Sequence, residues 1–254
     1  MSHFVLGAGR RSHAFYRQGI TFDGDYFGRG DDLDGNSDAK SAIGSFWIMF
    51  NGSDGTQQEI YATDAASAGN YIRKSATNKI VVVFKDGGGN NDLVIQSNTA
   101  YTADSTWHHV LWAFDVATGT TQMYIDGSDD EAAGSTAVND TLDFATASHV
   151  IGGETDGSDL VDADIAEFWM DFGETLDISS ATNRAKFRDA NGRPVNLGGD
   201  GSFPLGSQPI VYFSSLRGAA AANFAINLGS GGNPVAGSWN LTGALAVSST
   251  SPCD

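Results

Sequence analysis

The sequence lacks several features that mark secreted, membrane-spanning or nucleic-acid-binding proteins. Its one cysteine, Cys253, cannot form a disulfide within the chain, so packing has to hold the fold together. Fourteen lysines and arginines stand against 31 aspartates and glutamates, and the resulting net charge of −17 repels nucleic-acid phosphates. No apolar run approaches the roughly 20 residues of a membrane helix. The N-terminal residues, interrupted by Arg10 and Arg11, do not form a secretory signal. We therefore expect folding in a cytoplasm, with no nucleic-acid partner and no membrane insertion.

Glycine and aromatic residues, by contrast, are abundant. The chain has 32 glycines and 11% aromatic residues, while only 18% of its residues are charged. Short runs of β-branched and aromatic residues alternate with Gly, Asn and Asp turns, which is typical of antiparallel β proteins. The predicted strands cover residues 15–22, 26–29, 45–51, 58–63, 70–74, 79–85, 92–97, 107–115, 120–125, 149–152, 165–172 and 209–213.

A single helix is predicted over residues 179–189, with Ser179 or Ser180 as its N-cap. Strands without βαβ alternation favour an all-β fold, a two-sheet antiparallel sandwich with one short helix and a loop-rich C-terminal extension. The predicted divisions are an N-terminal arm (1–14), a sandwich core (15–175), and an extension (176–254) that packs on the core or on neighbouring subunits.

Four short segments together carry a family resemblance. They are WHHV at 107–110, FD at 114–115, YIDG at 124–127 and DIAEFW at 164–169. In this order and spacing they resemble the laminin G-like, concanavalin A-like jelly-roll family. The resemblance covers about residues 15–175 and implies a concanavalin A-like jelly-roll sandwich of the lectin and glucanase type.

A second resemblance rests on FGRGDDL at 27–33, AKF at 185–187 and GRPVNLG at 192–198. These strings are similar to sandwich proteins coded by tailed bacteriophages. This resemblance implies a virion protein, assembled in the host cytoplasm beside other virion proteins and expected to be a homo-oligomer in the particle.

Three functions remain open at this stage. The first is a non-enzymatic structural protein of the tail fibre or baseplate, which displays a lectin-like domain for attachment to host-surface glycan. The second is a capsid decoration protein that uses the same fold as scaffold. The third is a soluble carbohydrate-binding module or a glycosidase.

The glycosidase alternative depends on three carboxylates, Asp162, Asp164 and Glu167. Glycosidases of this jelly-roll class carry E-x-D-x-(x)-E on one strand, and retaining hydrolysis requires two carboxyls only about 5–5.5 Å apart. Here the first position is Asp162, which is one methylene shorter, and the aromatic residues that usually flank the motif are missing. We therefore expect no catalytic residue and no enzymatic activity.

Acidic and amide side chains in loops are candidates for ligand binding. Carboxylate oxygens are the ligands that calcium prefers, and relatives of this fold bind calcium near a glycan site at the sheet rim. The candidate calcium ligands are Asp31, Asp34 and Asp38. The candidate glycan contacts at the rim are Asp31, Asp32, Asp34, Asn36, Asn90 and Asn91.

Arginines near the N-terminus form the only basic stretch of this acidic chain. We predict that Arg10, Arg11 and Arg17 dock onto an acidic partner surface. The adjacent pair His108 and His109 lies in a predicted strand, where neighbouring side chains point to opposite faces and cannot share one metal. We expect one of these imidazoles to pack inside the sandwich and the other to face solvent.

Overall fold

The computed structural model describes residues 16–63, 69–232 and 239–254. These residues form a sandwich of two eight-stranded sheets in which all pairings between the named strands are antiparallel. The predicted fold class is therefore confirmed. The predicted arm over 1–14, with Arg10 and Arg11, lies outside the described residues. No helix in the described ranges is long and apolar enough to cross a membrane.

The strands of the first sheet are β1 (Ile20–Asp23), β3 (Ser41–Phe50), β8 (His108–Asp115), β9 (Thr120–Ile125), β10 (Ser128–Asp129), β13 (Asp162–Phe172), β14 (Val211–Phe213) and β16 (Ala246–Val247). Their order across the sheet is β10-β9-β8-β3-β13-β1-β16, and β14 pairs with β13 beside β1.

The strands of the second sheet are β2 (Tyr26–Arg29), β4 (Gln58–Thr63), β5 (Tyr71–Lys74), β6 (Ile80–Lys85), β7 (Asn91–Gln96), β11 (Thr136–Ala137), β12 (His149–Ile151) and β15 (Asn240–Thr242). Their order across the sheet is β11-β7-β6-β5-β4-β12-β2-β15.

Aromatic rings fill the space between the sheets. Phe46 of β3 stacks on Phe168 of β13 with ring centroids 5.6 Å apart, and Phe84 of β6 contacts Trp112 of β8 at 5.5 Å. Gly44, also on β3, lies where a Cβ atom would overlap the Trp112 ring. The core is thus packed tightly enough that one β3 position accepts no side chain.

A β-bulge interrupts the alternation of β13. Ala163 and Ile165 face the inter-sheet core before it, and Phe168 and Met170 do so after it. The register against β3 shifts between Ala166 and Trp169, so one extra residue is accommodated on β13. Because of this extra residue, both halves of β13 direct their apolar side chains into the core.

The C-terminal extension contributes to both sheets. Its strands β14 and β16 add to the first sheet, and β15 pairs with β2 of the second sheet. A second apolar cluster lies on the outer face of the first sheet, where Trp169 contacts Phe187 of the extension at 5.2 Å between ring centroids. Segments of the extension therefore cover an outer face that would otherwise expose large apolar side chains.

The helix is shorter than predicted. α1 covers Ala181–Arg184, after which the chain continues as turns, with Phe187 bonding to the carbonyl of Arg184 three residues earlier. Ser180 occupies the N-cap position but makes no side-chain capping bond. Packing of Phe187 on Trp169 draws the chain towards the sheet and ends the helix early.

Candidate functional site

Glu167 lies at the centre of a polar cluster on the outer face of β13. It is 2% exposed, and its Oε1 lies 3.0 Å from Nε of Arg17. The hydroxyls of Tyr212 and Ser214 donate hydrogen bonds to the same carboxylate, and Arg17 donates another to the Tyr212 oxygen. Burial raises the pKa of Glu167, while Arg17, Ser214 and Tyr212 oppose that rise. We call these four residues the Glu167 cluster.

The bulge places Glu167 in this position. Its φ of 50° lies in the left-handed region, which is uncommon for a residue with a long side chain. On that side of β13, β1 pairs only as far as Ile165 and β14 begins pairing at Phe168. Glu167 therefore lies at the junction of two edge partners, where Arg17, just before β1, and Ser214, just after β14, reach it.

The other two carboxylates of the predicted motif also have partners. Asp164 is 4% exposed and accepts hydrogen bonds from the Asn51 amide, at 3.1 Å, and from the Ser248 hydroxyl beside β16. Asp162 accepts a bond of 3.4 Å from the Ser53 hydroxyl, and burial together with the charge of Asp23 raises its pKa. Residues of the extension thus bind two of the three carboxylates, those of Asp164 and Glu167.

A pocket of about 560 Å³ opens next to the Glu167 cluster. Its polar lining includes Arg17 and Tyr212 of that cluster, and its apolar wall includes Leu216 and Ile226, which are 57% and 40% exposed. We call it the C-terminal pocket. Its further lining residues are Asn196, Gly198, Gly199, Ser214, Ser215, Ala219, Asn223 and Leu228.

This combination suits an organic ligand with hydroxyl groups and an apolar face. Pockets of about 300–1,000 Å³ with apolar walls and a few fixed polar groups are typical ligand sites. Sequence reasoning missed the pocket because its lining comes from the chain before β1, from residues 196–199 and from residues 212–228. Of the predicted strands, those over 15–22 and 209–213 reach this lining.

The two histidines of the WHHV segment do point to opposite faces; His109 is buried, and the side chain of His108 is 14% exposed. His109 is 1% exposed, stacks on Trp47 at 4.8 Å between ring centroids, and has Nε2 2.9 Å from the Ser45 hydroxyl. Burial lowers its pKa to about 3. His108 lies 2.7 Å from Asp126, which also accepts the backbone N–H of His109. Asp126 of the YIDG turn therefore fixes the start of β8.

The structure does not bring Asp31, Asp34 and Asp38 together as calcium ligands. Asp34 pairs with Arg29 at 2.9 Å, and Asp38 accepts backbone N–H groups of the 144–145 segment. These carboxylates organise the loop after β2 instead of converging on one point.

Leu142 joins the acidic loop after β2 to the turn between β6 and β7. Ala39, at the end of the acidic loop, and Asp86, at the end of β6, both bridge to Leu142. Asn36 and Asn90 use their amides within the protein, bonding to the Phe144 carbonyl and to Asp86. Of the predicted rim residues, Asp31, Asp34 and Asn91 stay exposed, while Asp32 is half-buried.

The structure corrects the expected role of Arg17. Its side chain is 6% exposed and paired with Glu167 inside the chain, so it does not lie on a docking surface. Arg17 lies just before β1, where its guanidinium pairs with the buried carboxylate of Glu167. A buried carboxylate without such a partner would be strongly destabilising. Docking by Arg10 and Arg11 stays a prediction.

Converging carboxylates occur elsewhere in the described part of the chain. Oxygens of Glu59, Glu154 and Asp159 lie within 4.8 Å of one another. Gln57 donates hydrogen bonds to Glu59 and Asp159, and Arg73 lies 3.6 Å from Glu59. Burial raises the pKa of Glu59 to about 8. The second converging group is Asp86, Asp92 and Asp140.

The two packed antiparallel sheets define a β-sandwich. Residues 34–170 match the profile of the Concanavalin A-like lectin/glucanases superfamily, Laminin_G_3, and the chain belongs to this family. A search of curated proteins gave no match.

Solved structures share the fold at low sequence identity. A candidate carbohydrate-binding protein from Bacteroides ovatus is 15% identical with a TM-score of 0.59, over 93% of this chain and 61% of that one. The K499G mutant of NanB sialidase from Streptococcus pneumoniae is 14% identical with a TM-score of 0.50, over 68% of this chain and 28% of that one. This chain therefore spans less than two thirds of either protein, and the likeness concerns the fold.

Proposed function

We propose that this protein is a non-enzymatic, glycan-binding component of a tailed-bacteriophage particle, which attaches the particle to host-surface glycan. The observation that carries the glycan part is the C-terminal pocket on a sandwich of the lectin and glucanase family. The likeness to the Bacteroides ovatus protein supports it, because that likeness extends over 93% of this chain.

The pocket fits a sugar in size and in chemistry. Sugars present hydroxyls that donate and accept hydrogen bonds, and a C–H face that packs on apolar groups. Asn223 and Ser215 supply polar groups beside the exposed apolar side chains of Leu216 and Ile226. Exposed apolar side chains at a pocket mouth are typical of ligand contacts.

The acidic rim is the alternative glycan surface within the same proposal. Asp31, Asp34 and Asn91 are exposed there, with Asp32 half-buried, and polar side chains on an open edge suit hydroxyl recognition. None of these four residues lines the pockets of about 560, 400 and 250 Å³ in the described part of the chain. We therefore assign the main glycan contact to the C-terminal pocket.

One pair of exposed positions in the C-terminal pocket and one exposed position on the rim distinguish these surfaces on a glycan array followed by calorimetry. The double variant Leu216→Ala with Asn223→Ala should weaken binding by about tenfold or more, because it removes one hydrogen bond and one apolar contact. Asn91→Ala is the matched rim variant and should bind as the original chain does. Loss in Asn91→Ala alone would move the glycan to the rim, and unchanged binding in both variants would contradict both assignments.

The non-enzymatic part of the proposal rests on the Glu167 cluster. An acid or base of a glycosidase has to reach the glycosidic oxygen or a water beside it. Both oxygens of Glu167 are already engaged by Arg17, Ser214 and Tyr212, and the side chain is 2% exposed. Tyr212 and Ser214, which cover this part of β13, belong to the C-terminal extension of the same chain.

The virion part rests on the sequence strings at 27–33, 185–187 and 192–198. Attachment at the tail fibre or baseplate is the proposed role, with other virion proteins and further copies of this chain as partners. A capsid decoration protein with the same fold is the alternative. Immunogold labelling of purified particles separates them: gold at the tail tip supports attachment, gold over the head supports decoration, and unlabelled particles contradict both.

A further inference from the structure

A smaller pocket, of about 250 Å³, opens between the first sheet and the start of the C-terminal extension. Its lining includes Leu111 of β8 and Tyr124 of β9, which belong to the apolar cluster on the outer face of that sheet. Arg184, the last residue of α1, and Arg188, in the turn after it, line the opposite side. We call it the arginine pocket. It shares no lining residue with the C-terminal pocket.

The two arginines of this pocket have no carboxylate partner. In this acidic chain, Arg17, Arg29 and Arg73 each form an ion pair with an aspartate or a glutamate. Within the described residues, Arg184 and Arg188 form no ion pair. Two guanidinium groups in one pocket repel each other unless an anion lies close to both. The pocket therefore carries positive charge that no ion pair balances.

The guanidinium of Arg188 lies between two glycines. A Cβ atom at Gly192 would come within 2.7 Å of Nη2, and one at Gly127 would come within 3.2 Å of Nη1. The two turns thus leave room for this side chain and fix its position. Its Nε is nevertheless buried and has no hydrogen-bond partner in the described part of the chain. A buried donor without an acceptor is costly, so a native chain that keeps one has a reason to do so.

Arg184 is also held in place without being neutralised. Its Nη1 donates hydrogen bonds to the backbone carbonyls of Ile178, at 2.6 Å, and Ser179, at 2.7 Å. The guanidinium lies over the Tyr124 ring, 4.4 Å from the centroid. Both cations of the pocket are therefore ordered before a ligand arrives, which lowers the entropy that binding costs.

The other titratable groups of the pocket leave its charge positive. His109 lines it, but burial lowers the pKa of this imidazole to about 3, so the ring is neutral. Asp189 also lines it, and its Oδ1 accepts two backbone N–H groups of its own turn. Asp126 lies outside the lining and pairs with His108. The lining thus holds two positive charges against one negative charge.

These features suit a carboxylate on a sugar ring. A guanidinium can bind a planar carboxylate through two parallel N–H···O bonds. Apolar surface from Leu111 and Tyr124 suits the C–H face of a sugar. A doubly charged phosphate would be repelled more strongly by a chain of net charge −17. The volume lies just below the roughly 300–1,000 Å³ of pockets for complete organic ligands, so it suits a single sugar residue.

We propose that the arginine pocket binds the carboxylate of an acidic sugar, with Arg188 as the main donor and Arg184 as the second cation. The choice of a sugar rests on the proposed glycan-binding function, whereas the choice of an anion rests on the two arginines. The C-terminal pocket cannot supply this selectivity, because its own arginine, Arg17, is already paired with Glu167. The arginine pocket would thus select acidic over neutral glycans.

NMR titration with sodium glucuronate tests this site. Glucose is the matched ligand, because it has a hydroxymethyl group where glucuronate has a carboxylate. Glucuronate should shift the backbone amide signals of Gly127 and Gly192 in a saturable way, and glucose should leave them unchanged. Arg188→Gln should weaken glucuronate binding about tenfold or more. Arg193→Gln removes the same charge at an exposed position of the same turn and should bind as the original chain does.

Equal affinity for glucuronate in Arg188→Gln and the original chain, or no binding at all, would overturn the proposal. Inorganic phosphate binding as tightly as glucuronate would overturn the assignment to a sugar carboxylate. If Arg188→Gln does not fold, Arg188→Lys keeps the charge but loses the planar pair of donors, and it should also bind more weakly. Leu216→Ala with Asn223→Ala should leave glucuronate binding unchanged, so a failure of the C-terminal pocket and a failure of this site are seen separately.

Discussion

Arg17 and Glu167 form a buried ion pair, with Nε of the arginine 3.0 Å from Oε1 of the glutamate. The pair joins the chain before β1 to the bulge in β13, at the point where two edge strands meet. The same carboxylate that resembles the last residue of a glycosidase motif is thereby held by the protein itself. Arg17 also lines the C-terminal pocket, so this pair links the fold to the proposed glycan site.

Arg17→Met should lower the free energy of unfolding by about 3–5 kcal/mol, because it leaves the carboxylate of Glu167 buried without its cation. The double variant Arg17→Met with Glu167→Gln should lose less than the sum of the two single variants. Urea denaturation measures all three. The control is Arg193→Met, at an exposed position, with an expected change within about 0.5 kcal/mol. Additive effects of the two single changes would contradict the coupling.

Gly44→Ala should destabilise the sandwich by about 1–3 kcal/mol, because the added methyl overlaps the Trp112 ring in a tightly packed core. Gly30→Ala is the matched control, since a Cβ there meets nothing within 4 Å and φ is not positive. It should be neutral or stabilising by up to about 1 kcal/mol. Equal stability of both variants, measured by denaturant unfolding, would show that the ring moves away without cost.

His109 should make the protein sensitive to acid. Burial lowers its pKa to about 3, below the ordinary value of 6.5 that applies to the unfolded chain. Between these values the unfolded chain binds the extra proton, so stability falls as the pH falls, by about 1.4 kcal/mol per pH unit. His109→Gln, which keeps a partner for Ser45, should show a shallower fall between pH 6 and 4. Parallel pH curves for the two proteins would refute this assignment.

Glu59 should have the opposite effect on stability, which it lowers as the pH rises. Burial raises its pKa to about 8 from an ordinary 4.5, so the folded chain binds the extra proton between these values. Its contribution to stability is present below pH 4.5 and is lost as the pH rises to 8, by about 1.4 kcal/mol per unit. Glu59→Gln should remove that loss. The test is the free energy of unfolding of both proteins, measured in chelator between pH 4.5 and pH 8. The same dependence on pH in both proteins would contradict a protonated Glu59 in the folded chain.

Strands with local signals were predictable from sequence. The bounds of β4 and β9 agree with the predicted 58–63 and 120–125, because alternating apolar residues and flanking turns define them locally. Strands β15 and β16, of three and two residues, have no such signal. They exist because β2 and β1 offer unpaired edges to them.

The bulge in β13 has a sequence signature that the strand prediction did not use. Core residues Ile165 and Phe168 are three positions apart, whereas Phe168 and Met170 are two apart, as a regular strand requires. This change in the spacing of the core-facing residues indicates one extra residue in β13. The C-terminal pocket has no comparable sequence signature, since its lining comes from segments that only the tertiary fold brings together.

The most direct test of the central claim is to measure binding and cleavage on the same glycan. The protein is titrated with an array-selected oligosaccharide in a calorimeter, and the recovered sugar is then analysed by mass spectrometry after prolonged incubation. We expect saturable binding, weakened in Leu216→Ala with Asn223→Ala, and a sugar recovered intact. A cleaved sugar, with cleavage abolished in Glu167→Gln, would contradict a non-enzymatic glycan-binding role.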